Sequence, residues 1–437
     1  MTAEVTGESG MEGSKQFKVG GWGAHFVMII CSLLLILNYA DRQVFASVLQ
    51  PMKVELGLTD ALCGLAQTIF LLGVALFSFP VAYIIDRWSR KKAIMIMAVV
   101  WSVMTALTGL AKNFAGVLIP RSLVGVGEAG FTSGGTALVT AVYKKESRSL
   151  ILGIFYALGM TGLALGLMLG GWLSVKYGWR SAFFVLGIPG IIVGLFALFM
   201  KDYKTVAISS TAGENKGIGK AIVAIFRIPT LRWFYIGYGI FYFMITTVMA
   251  WLPAFTIRTM NITEAAAGML VGYISLAVII GAPLGGFLAD LWQKKSSRGR
   301  IYLSVLSSFL AVIAMIIVII IKLNTLGIVI GILYTILSMM LSPNLGSISQ
   351  DVVPPEYKGI SYGLAAFCAY IFGGAWGPLA VGALSDALGG GGEGLGNAMM
   401  ILCGATGIIG SLIMIMAARH YAPDMEKVQH QALLAEK

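Results

Sequence analysis

Residues 82–92, Ala-Tyr-Ile-Ile-Asp-Arg-Trp-Ser-Arg-Lys-Lys, follow one long apolar segment and directly precede the next. A similar stretch in the second half of the chain, residues 286–295, is Gly-Phe-Leu-Ala-Asp-Leu-Trp-Gln-Lys-Lys, so Asp86 and Asp290 occupy matching positions. This repeat predicts two related halves. Repeated halves with a site between them are typical of membrane transport proteins.

The composition is that of a membrane protein. Of the 437 residues 58% are hydrophobic and 12% are charged, with a mean hydropathy of +0.86, which is far more apolar sequence than a soluble core uses. Apolar runs of about 20 residues predict transmembrane helices, because that length crosses a bilayer. These runs cover residues 24–48, 61–85, 93–110, 114–140, 149–173, 181–200, 232–256, 263–289, 301–321, 324–348, 357–385 and 395–418.

One long hydrophilic interruption divides the predicted helices six and six. The predicted units are a tail 1–23, a first six-helix bundle 24–200, a linker 201–229, a second bundle 230–418 and a tail 419–437. Lys and Arg gather on the side of the termini and the linker, so the positive-inside rule predicts that both termini are cytoplasmic. We expect a multi-pass protein of the plasma membrane, the inner membrane of a bacterium.

Several functional classes find no support in the sequence. The basic residues that give the net charge of +11 are interleaved with apolar segments, so we expect no nucleic-acid partner. The four cysteines all fall within predicted helices at spacings that match no metal site. Residues 125–130 contain the pattern G-x-G-x-x-G, but inside an apolar helix and not after a strand. We therefore expect no metal, no cofactor and no enzymatic activity.

Four charged residues lie inside predicted membrane helices: Asp41 and Arg42 in the first, and Arg121 and Glu128 in the fourth. Ionised groups at membrane depth are costly unless they pair or line a wet cavity, so they indicate function. Arg121 and Glu128 are two helical turns apart and share one face, about 10 Å apart along the axis. The four charges cancel, so the set can be buried together.

Carboxylates in a poorly solvated cavity have a pKa that burial raises and a nearby arginine lowers, so moving the arginine changes their protonation. We therefore predict that Asp41 and Glu128 couple transport to protons, and that Arg42 and Arg121 bind an anion or gate the site. The alternative is a static ion-pair network that only stabilises the fold. Desolvation makes four embedded charges a poor source of stability alone.

The charged motifs resemble those of the major facilitator superfamily. Residues 86–92 are similar to its signature Gly-x-Leu-x-Asp-Arg-x-Gly-Arg-Arg between helices two and three, although Ala82 and Ser89 stand where glycine is usual, and residues 121–128 resemble its helix-four motif. The resemblance implies an all-α fold of twelve transmembrane helices in two pseudo-symmetric six-helix bundles. It also implies a cytoplasmic gate, whose residues here are Asp86, Arg87, Arg90, Lys91 and Asp290. A solvated, positively charged loop is the alternative for residues 86–92.

Two branches of that superfamily share further features with this chain. Residues 38–42, Asn-Tyr-Ala-Asp-Arg, and residues 350–355, Gln-Asp-Val-Val-Pro-Pro, resemble both the spinster-like transporters of lysolipids and sphingolipids and the organic anion symporters. The predicted function is proton-coupled alternating access, with uptake of a small organic carboxylate. The alternative is export or flux of a lysophospholipid, sphingolipid or amphiphilic drug. We expect a monomer in contact with membrane lipids.

The second half offers few embedded charges, so its predicted substrate contacts are polar or aromatic. Asn344 is a polar candidate in the tenth helix, while Tyr370 and Trp376 are candidates for an apolar part of the substrate site. Tyr39, beside Asp41 and Arg42, completes the predicted substrate and gating group. Small-residue faces in helices five and eight, with Gly162, Gly166 and Gly170 in the fifth and Gly268 and Gly272 in the eighth, predict close helix contact across the halves.

Overall fold

The computed structural model describes residues 20–200 and 218–435, and within them only the backbone of residues 82, 83, 86, 87, 145, 218 and 431–435. Twelve helices in these ranges are long and apolar enough to cross a membrane, which confirms the predicted fold class. They are α1 Trp22–Leu56, α2 Asp60–Val81, α3 Arg90–Thr108, α4 Phe114–Val142, α5 Arg148–Tyr177, α6 Trp179–Phe199, α7 Pro229–Met260, α8 Glu264–Lys295, α9 Gly299–Ile321, α10 Thr325–Asp351, α11 Pro355–Ala387 and α12 Gly391–His430.

Short connections join the helices at the end of the molecule opposite the termini, which we call the far end. We call the end that contains the two termini the terminus end. Side chains of Thr59, Asn113, Thr263 and Asn324 accept backbone hydrogen bonds and cap the starts of α2, α4, α8 and α10 there. Gly57 ends α1 in the left-handed conformation, with φ of 62°. The sequence therefore specifies tight turns at the far end.

Four membrane helices in the described ranges are interrupted along their length: α8 after Ser275, α10 after Met339, and also α4 and α11. The α-helical hydrogen bonding of α4 is interrupted directly after Glu128 and resumes at Phe131. In α11, residues Tyr370–Gly374 form a π-turn, in which the Ala375 N–H donates to the Tyr370 carbonyl at 2.9 Å. Short π-turns inside α-helices are frequent at functional sites. The irregularities of α4 and α11 lie beside residues predicted to be functional.

The two halves meet mainly through two helix pairs near the far end, α5 with α8 and α2 with α11. A Cβ on Gly171 of α5 would strike the Glu264 carbonyl of α8, and one on Gly268 would strike the Leu167 carbonyl. The predicted meeting of helices five and eight is therefore observed. The predicted glycine face of α5 lies elsewhere, since Gly162 and Gly166 pack on α1 within the first half.

The segments predicted as linker and tail contain helix. Residues Ile218–Arg227 form a linker helix that packs on the second half and buries Ala221 and Ile225. The helix of α12 continues to Ala435, and its Asp424 accepts hydrogen bonds from the N–H and Oγ1 of Thr230 at 3.2 and 2.8 Å. As far as Ala435, the segment after residue 418 therefore continues α12 and contacts the start of α7.

Candidate functional site

The face of α1 that points into the first bundle carries polar residues where a membrane helix normally carries apolar ones. Asn38, Asp41 and Phe45 recur at helical spacing and are at most 2% exposed. Arg42, one residue further than Asp41, projects in a different direction, and its side chain is 18% exposed. Adjacent residues on α1 therefore serve two environments, one inside the bundle and one at its surface.

Arg42 forms an ion pair with Glu128 of α4. The Arg42 Nε donates to Glu128 Oε2 at 2.7 Å, and the Glu128 side chain is fully buried. The guanidinium carbon lies 5.5 Å from the ring centroid of Tyr39 and 5.9 Å from that of Phe70. Arg42 is thus the partly exposed member of the charged set, held by one carboxylate and two aromatic rings.

The second ion pair, between Asp41 and Arg121, is deeper. Arg121 Nη1 lies 3.6 Å from Asp41 Oδ2, and neither side chain is more than 3% exposed. The Arg121 guanidinium is 4.8 Å from the Phe45 ring centroid and 4.5 Å from that of Phe70. Its Nη2 donates to Gln67 Oε1 at 3.4 Å. These distances describe a loose pair enclosed by aromatic rings.

The buried carboxylates are incompletely satisfied. Glu128 Oε1 makes no hydrogen bond to any described residue, and neither does the side-chain amide of Asn38. An unpaired polar atom in a buried position costs about 1–3 kcal/mol. A change of partner or of protonation at this cluster therefore changes its free energy appreciably, which suits a switch better than a static scaffold.

The second half presents tyrosines to this cluster. Tyr370, on the π-turn of α11, packs on the core of the first half. Its ring meets that of Tyr242 edge to face, with 5.4 Å between centroids, and Tyr242 stacks on Tyr238 at 5.7 Å. Thr246 Oγ1 donates to the Gly374 carbonyl at 2.6 Å, which holds the π-turn against α7. The predicted residues Tyr39 and Tyr370 thus lie near Arg42.

Two other predicted substrate residues lie elsewhere, and the prediction for them is corrected. Asn344 is buried in the second half, where its Nδ2 donates to Ser304 Oγ at 3.1 Å and to the Met340 carbonyl at 3.3 Å. Trp376 is 46% exposed, on the same side of α11 as exposed Phe372, and its indole N–H donates to the Ile371 carbonyl at 2.9 Å. The abundance of aromatic residues in this part of the sequence does not indicate which of them face the substrate site.

The predicted gate lies at the terminus end. The side chains of Asp86 and Arg87 are outside the described residues, and Arg90 is buried. Lys91 Nζ donates to the Leu198 carbonyl of its own half at 3.2 Å. Asp290 pairs at 2.8 Å with Arg300, which also pairs with Asp351, all within the second half. The described contacts of Lys91 and Asp290 therefore stay within one half each.

A charged group that the sequence did not single out joins the halves at the far end. We call it the far-end cluster; it consists of Lys53, Asp60, Arg258, Ser385 and Asp386. Each of these residues stands near the end of an apolar segment, where charges are ordinary. The sequence signal is that four acidic or basic residues, near the ends of α1, α2, α7 and α11, lie on the same side of the membrane.

The chain belongs to the Major Facilitator Superfamily, whose family model matches residues 31–378. It is 26% identical over 404 residues to an MFS-type efflux pump of Mycolicibacterium smegmatis, covering 91% of this chain and 93% of that one. It is 23% identical to a hexuronate transporter of Bacillus subtilis, over 64% of this chain and 67% of the relative. Protein spinster of Drosophila melanogaster is 28% identical over 62% of this chain and 46% of its own length.

A solved structure shows the same fold. A bacterial homolog of the human lysosomal transporter spinster, in an inward-facing and unoccupied conformation, superposes with a TM-score of 0.77. The match has 22% sequence identity and covers 96% of this chain and 99% of that one. The chain is therefore a multi-pass membrane transporter by family and fold, and not an enzyme.

Proposed function

We propose that this member of the Major Facilitator Superfamily carries a small organic anion, a carboxylate, into the cell together with protons by alternating access. In the proposed topology the terminus end is cytoplasmic, because Lys and Arg concentrate there. The observation that carries the proposal is the ion pair between Arg42 and Glu128, in which the acid is buried and the base is partly exposed. In this arrangement Arg42 can exchange the Glu128 carboxylate for the carboxylate of a substrate.

Arg42 is the proposed binding group for the substrate. Its hydrogen bond to Glu128 uses Nε, and Nη1 and Nη2 make no hydrogen bond to the described residues. A guanidinium offers donors in a planar fork that matches both oxygens of a carboxylate. Tyr39 and Tyr370 lie near this fork, so an incoming acid meets a cation from the first half and aromatic rings from both.

Glu128 is the proposed proton carrier because it shares Arg42 with the substrate. When a substrate carboxylate draws the guanidinium away, Glu128 remains buried without a paired cation. Protonation is then the less costly state, since an uncompensated buried charge is strongly unfavourable. Proton and anion therefore bind together and leave together, which is the requirement for symport.

Asp41 and Arg121 are proposed to respond to the exchange at Arg42. The Phe70 ring contacts both guanidiniums, at 5.9 Å for Arg42 and 4.5 Å for Arg121. Movement of Arg42 therefore alters the packing around Arg121 and the loose pair that it makes with Asp41. In this role Asp41 is a second proton site and Arg121 a gating residue.

The alternative cargo is an amphiphilic lipid or drug, moved by proton-coupled export or flux. One structural observation favours it: an apolar cavity lies between the halves, lined by residues that include Leu163, Ile245, Leu252 and Ile274. Its volume is about 50 Å³ in this conformation, which is room for only a few methylene groups. The amphiphile therefore requires a larger cavity in another state.

Uptake into proteoliposomes tests the proposal. Purified protein is screened by thermal shift against sugar acids, aromatic acids, sulfonates and lysolipids, because a specific ligand stabilises by RT ln(1 + [L]/Kd). A stabilising acid is then offered to proteoliposomes with and without an inward proton gradient. Accumulation that requires the gradient supports the proposal, whereas stabilisation by lysolipids alone supports the alternative.

A further inference from the structure

The far-end cluster is centred on a buried carboxylate. Asp60, at the start of α2, has a fully buried side chain. Arg258 of α7 donates to it twice, from Nη2 to Oδ1 and from Nη1 to Oδ2, each at 2.7 Å. Ser385 of α11 donates to Oδ2 at 2.7 Å. A carboxylate of the first half is thus held by two helices of the second half.

The second half provides the reverse contact. The Asp386 carboxylate of α11 accepts the backbone N–H groups of Asp60 at 3.0 Å and Ala61 at 2.8 Å. These are the first residues of α2, where free N–H groups and the helix dipole favour an acid. The two aspartates therefore make reciprocal contacts, each bound by donors of the opposite half.

The backbones of α2 and α11 approach so closely at this contact that only glycine fits at two positions. A Cβ on Gly382 of α11 would overlap the Asp60 carbonyl, and one on Gly64 of α2 would overlap the Pro378 carbonyl. Contacts this close do not stretch gradually when two rigid bundles separate. The hydrogen bonds that Arg258 and Ser385 donate, and those that Asp386 accepts, therefore break together when the far end opens.

Lys53 allows the far end to open without leaving the Asp60 carboxylate unpaired. It belongs to α1, in the same half as Asp60, and its Nζ lies 2.5 Å from Asp60 Oδ1. When α7 and α11 move away, Lys53 stays with Asp60 and continues to neutralise it. An uncompensated buried carboxylate would make opening prohibitively costly, and Lys53 removes that cost.

We infer that the far-end cluster is a lock that holds the far end closed, and that Asp60 with Arg258 supplies most of its strength. The lock is connected to the central site through α11, which carries Asp386 beside Asp60 and, on the π-turn Tyr370–Gly374, Tyr370 near Arg42. This inference concerns the conformational equilibrium, so it holds whatever the cargo or the coupling ion.

Distances between spin labels at the far end test the lock in the full-length protein, reconstituted without substrate or gradient. Lys112 and Thr325 are exposed at the far end of the first and second halves and are replaced by labelled cysteines. The four native cysteines, all buried, are replaced by alanine. Because only conformation is measured, this test can fail independently of the proposed function.

The variants are Asp60→Asn and Arg258→Gln, with Arg180→Gln as the matched control. Arg180 pairs with Glu55 at 2.5 Å at the same end, but both residues belong to the first half. We expect each lock variant to raise the open-to-closed ratio roughly tenfold to a hundredfold, and the double variant to add little. The control should leave the distances unchanged.

Two outcomes would overturn the lock. One is an unchanged distance distribution in both lock variants, and the other is an equal shift in Arg180→Gln. If a lock variant fails to fold, Ser385→Ala and Asp386→Asn provide milder changes at the same contact. A partial shift in those two supports the lock, and no shift in either counts against it.

Discussion

Arg42 and Glu128 form an ion pair between α1 and α4 in which the acid is fully buried and the base is partly exposed, with 2.7 Å between Nε and Oε2. The neighbouring pair of Asp41 and Arg121 is longer, at 3.6 Å, and wholly buried. We propose that this asymmetry gives different functions to residues that are chemically alike, so that the first pair meets a substrate and the second responds to it.

Replacement of Glu128 by glutamine should uncouple transport from protons. The Glu128→Gln variant keeps the volume of the side chain but cannot exchange a proton, so accumulation against a gradient should be lost while counterflow exchange continues. Uptake and counterflow in proteoliposomes measure the two activities separately. Asp41→Asn is measured in parallel, and if both variants still accumulate solute, neither acid carries the coupled proton.

Loss of Arg42 should weaken binding of an anion more than loss of Arg121 does. A charge-assisted hydrogen bond contributes roughly 1.5–3 kcal/mol, so Arg42→Ala should reduce affinity for a carboxylate by about one to two decades. Arg42→Lys should recover only part, since lysine lacks the planar fork. Arg121→Ala should slow transport with a smaller change in affinity. If all three variants bind every anionic ligand as tightly as the unsubstituted protein does, the anion proposal is wrong.

Tyr370 should contribute to substrate binding, and Trp376 should not. Tyr370→Ala removes the ring that packs near Arg42, whereas Trp376→Ala removes one exposed on the outer side of α11. Titration calorimetry should show weaker binding for the first variant only. An amphiphile should lose more affinity than a carboxylate in Tyr370→Ala, and less in Arg42→Ala. A comparable loss in Trp376→Ala would contradict the placement of the site.

A bulky residue at the contact between α5 and α8 should block transport. In Gly268→Leu the added side chain meets the Leu167 carbonyl of the opposite half, so the far end cannot close fully. Transport should fall at least tenfold while the protein remains folded, because helix formation is unaffected. Gly153→Leu is the control, since a Cβ at Gly153 of α5 has no neighbour within 4 Å. Normal transport by Gly268→Leu would exclude this mechanism.

Removal of the Asp86 charge should favour the state that is open at the terminus end. The prediction comes from the repeated motif at residues 82–92 and 286–295, because the Asp86 side chain lies outside the described residues. Asp86→Asn should slow transport but change ligand affinity much less than Arg42→Ala. Labelling of single cysteines at the terminus ends of α5 and α8 measures the shift. Unchanged labelling would leave a solvated loop as the explanation for this motif.

The sequence by itself determined the membrane fold and its principal charges. Helix length and apolar content specify twelve spans, because an apolar run of about 20 residues crosses a bilayer as a helix that satisfies its own backbone hydrogen bonds. The cost of burying Asp41, Arg42, Arg121 and Glu128 made them candidate functional residues without any coordinates. The aromatic candidate Tyr370 also lies near this set.

Only the tertiary structure decided which of these residues pair and which face solvent. The Phe70 ring of α2 lies against the guanidiniums of both Arg42 and Arg121, and spacing along α1 and α4 contains no information about this third helix. Trp376 is 46% exposed, which its place in an aromatic-rich segment does not indicate. Asp60 and Arg258 are 198 residues apart. Their pairing exists only because two separately folded bundles close at one end, so it is a property of the contact between bundles and of neither segment alone.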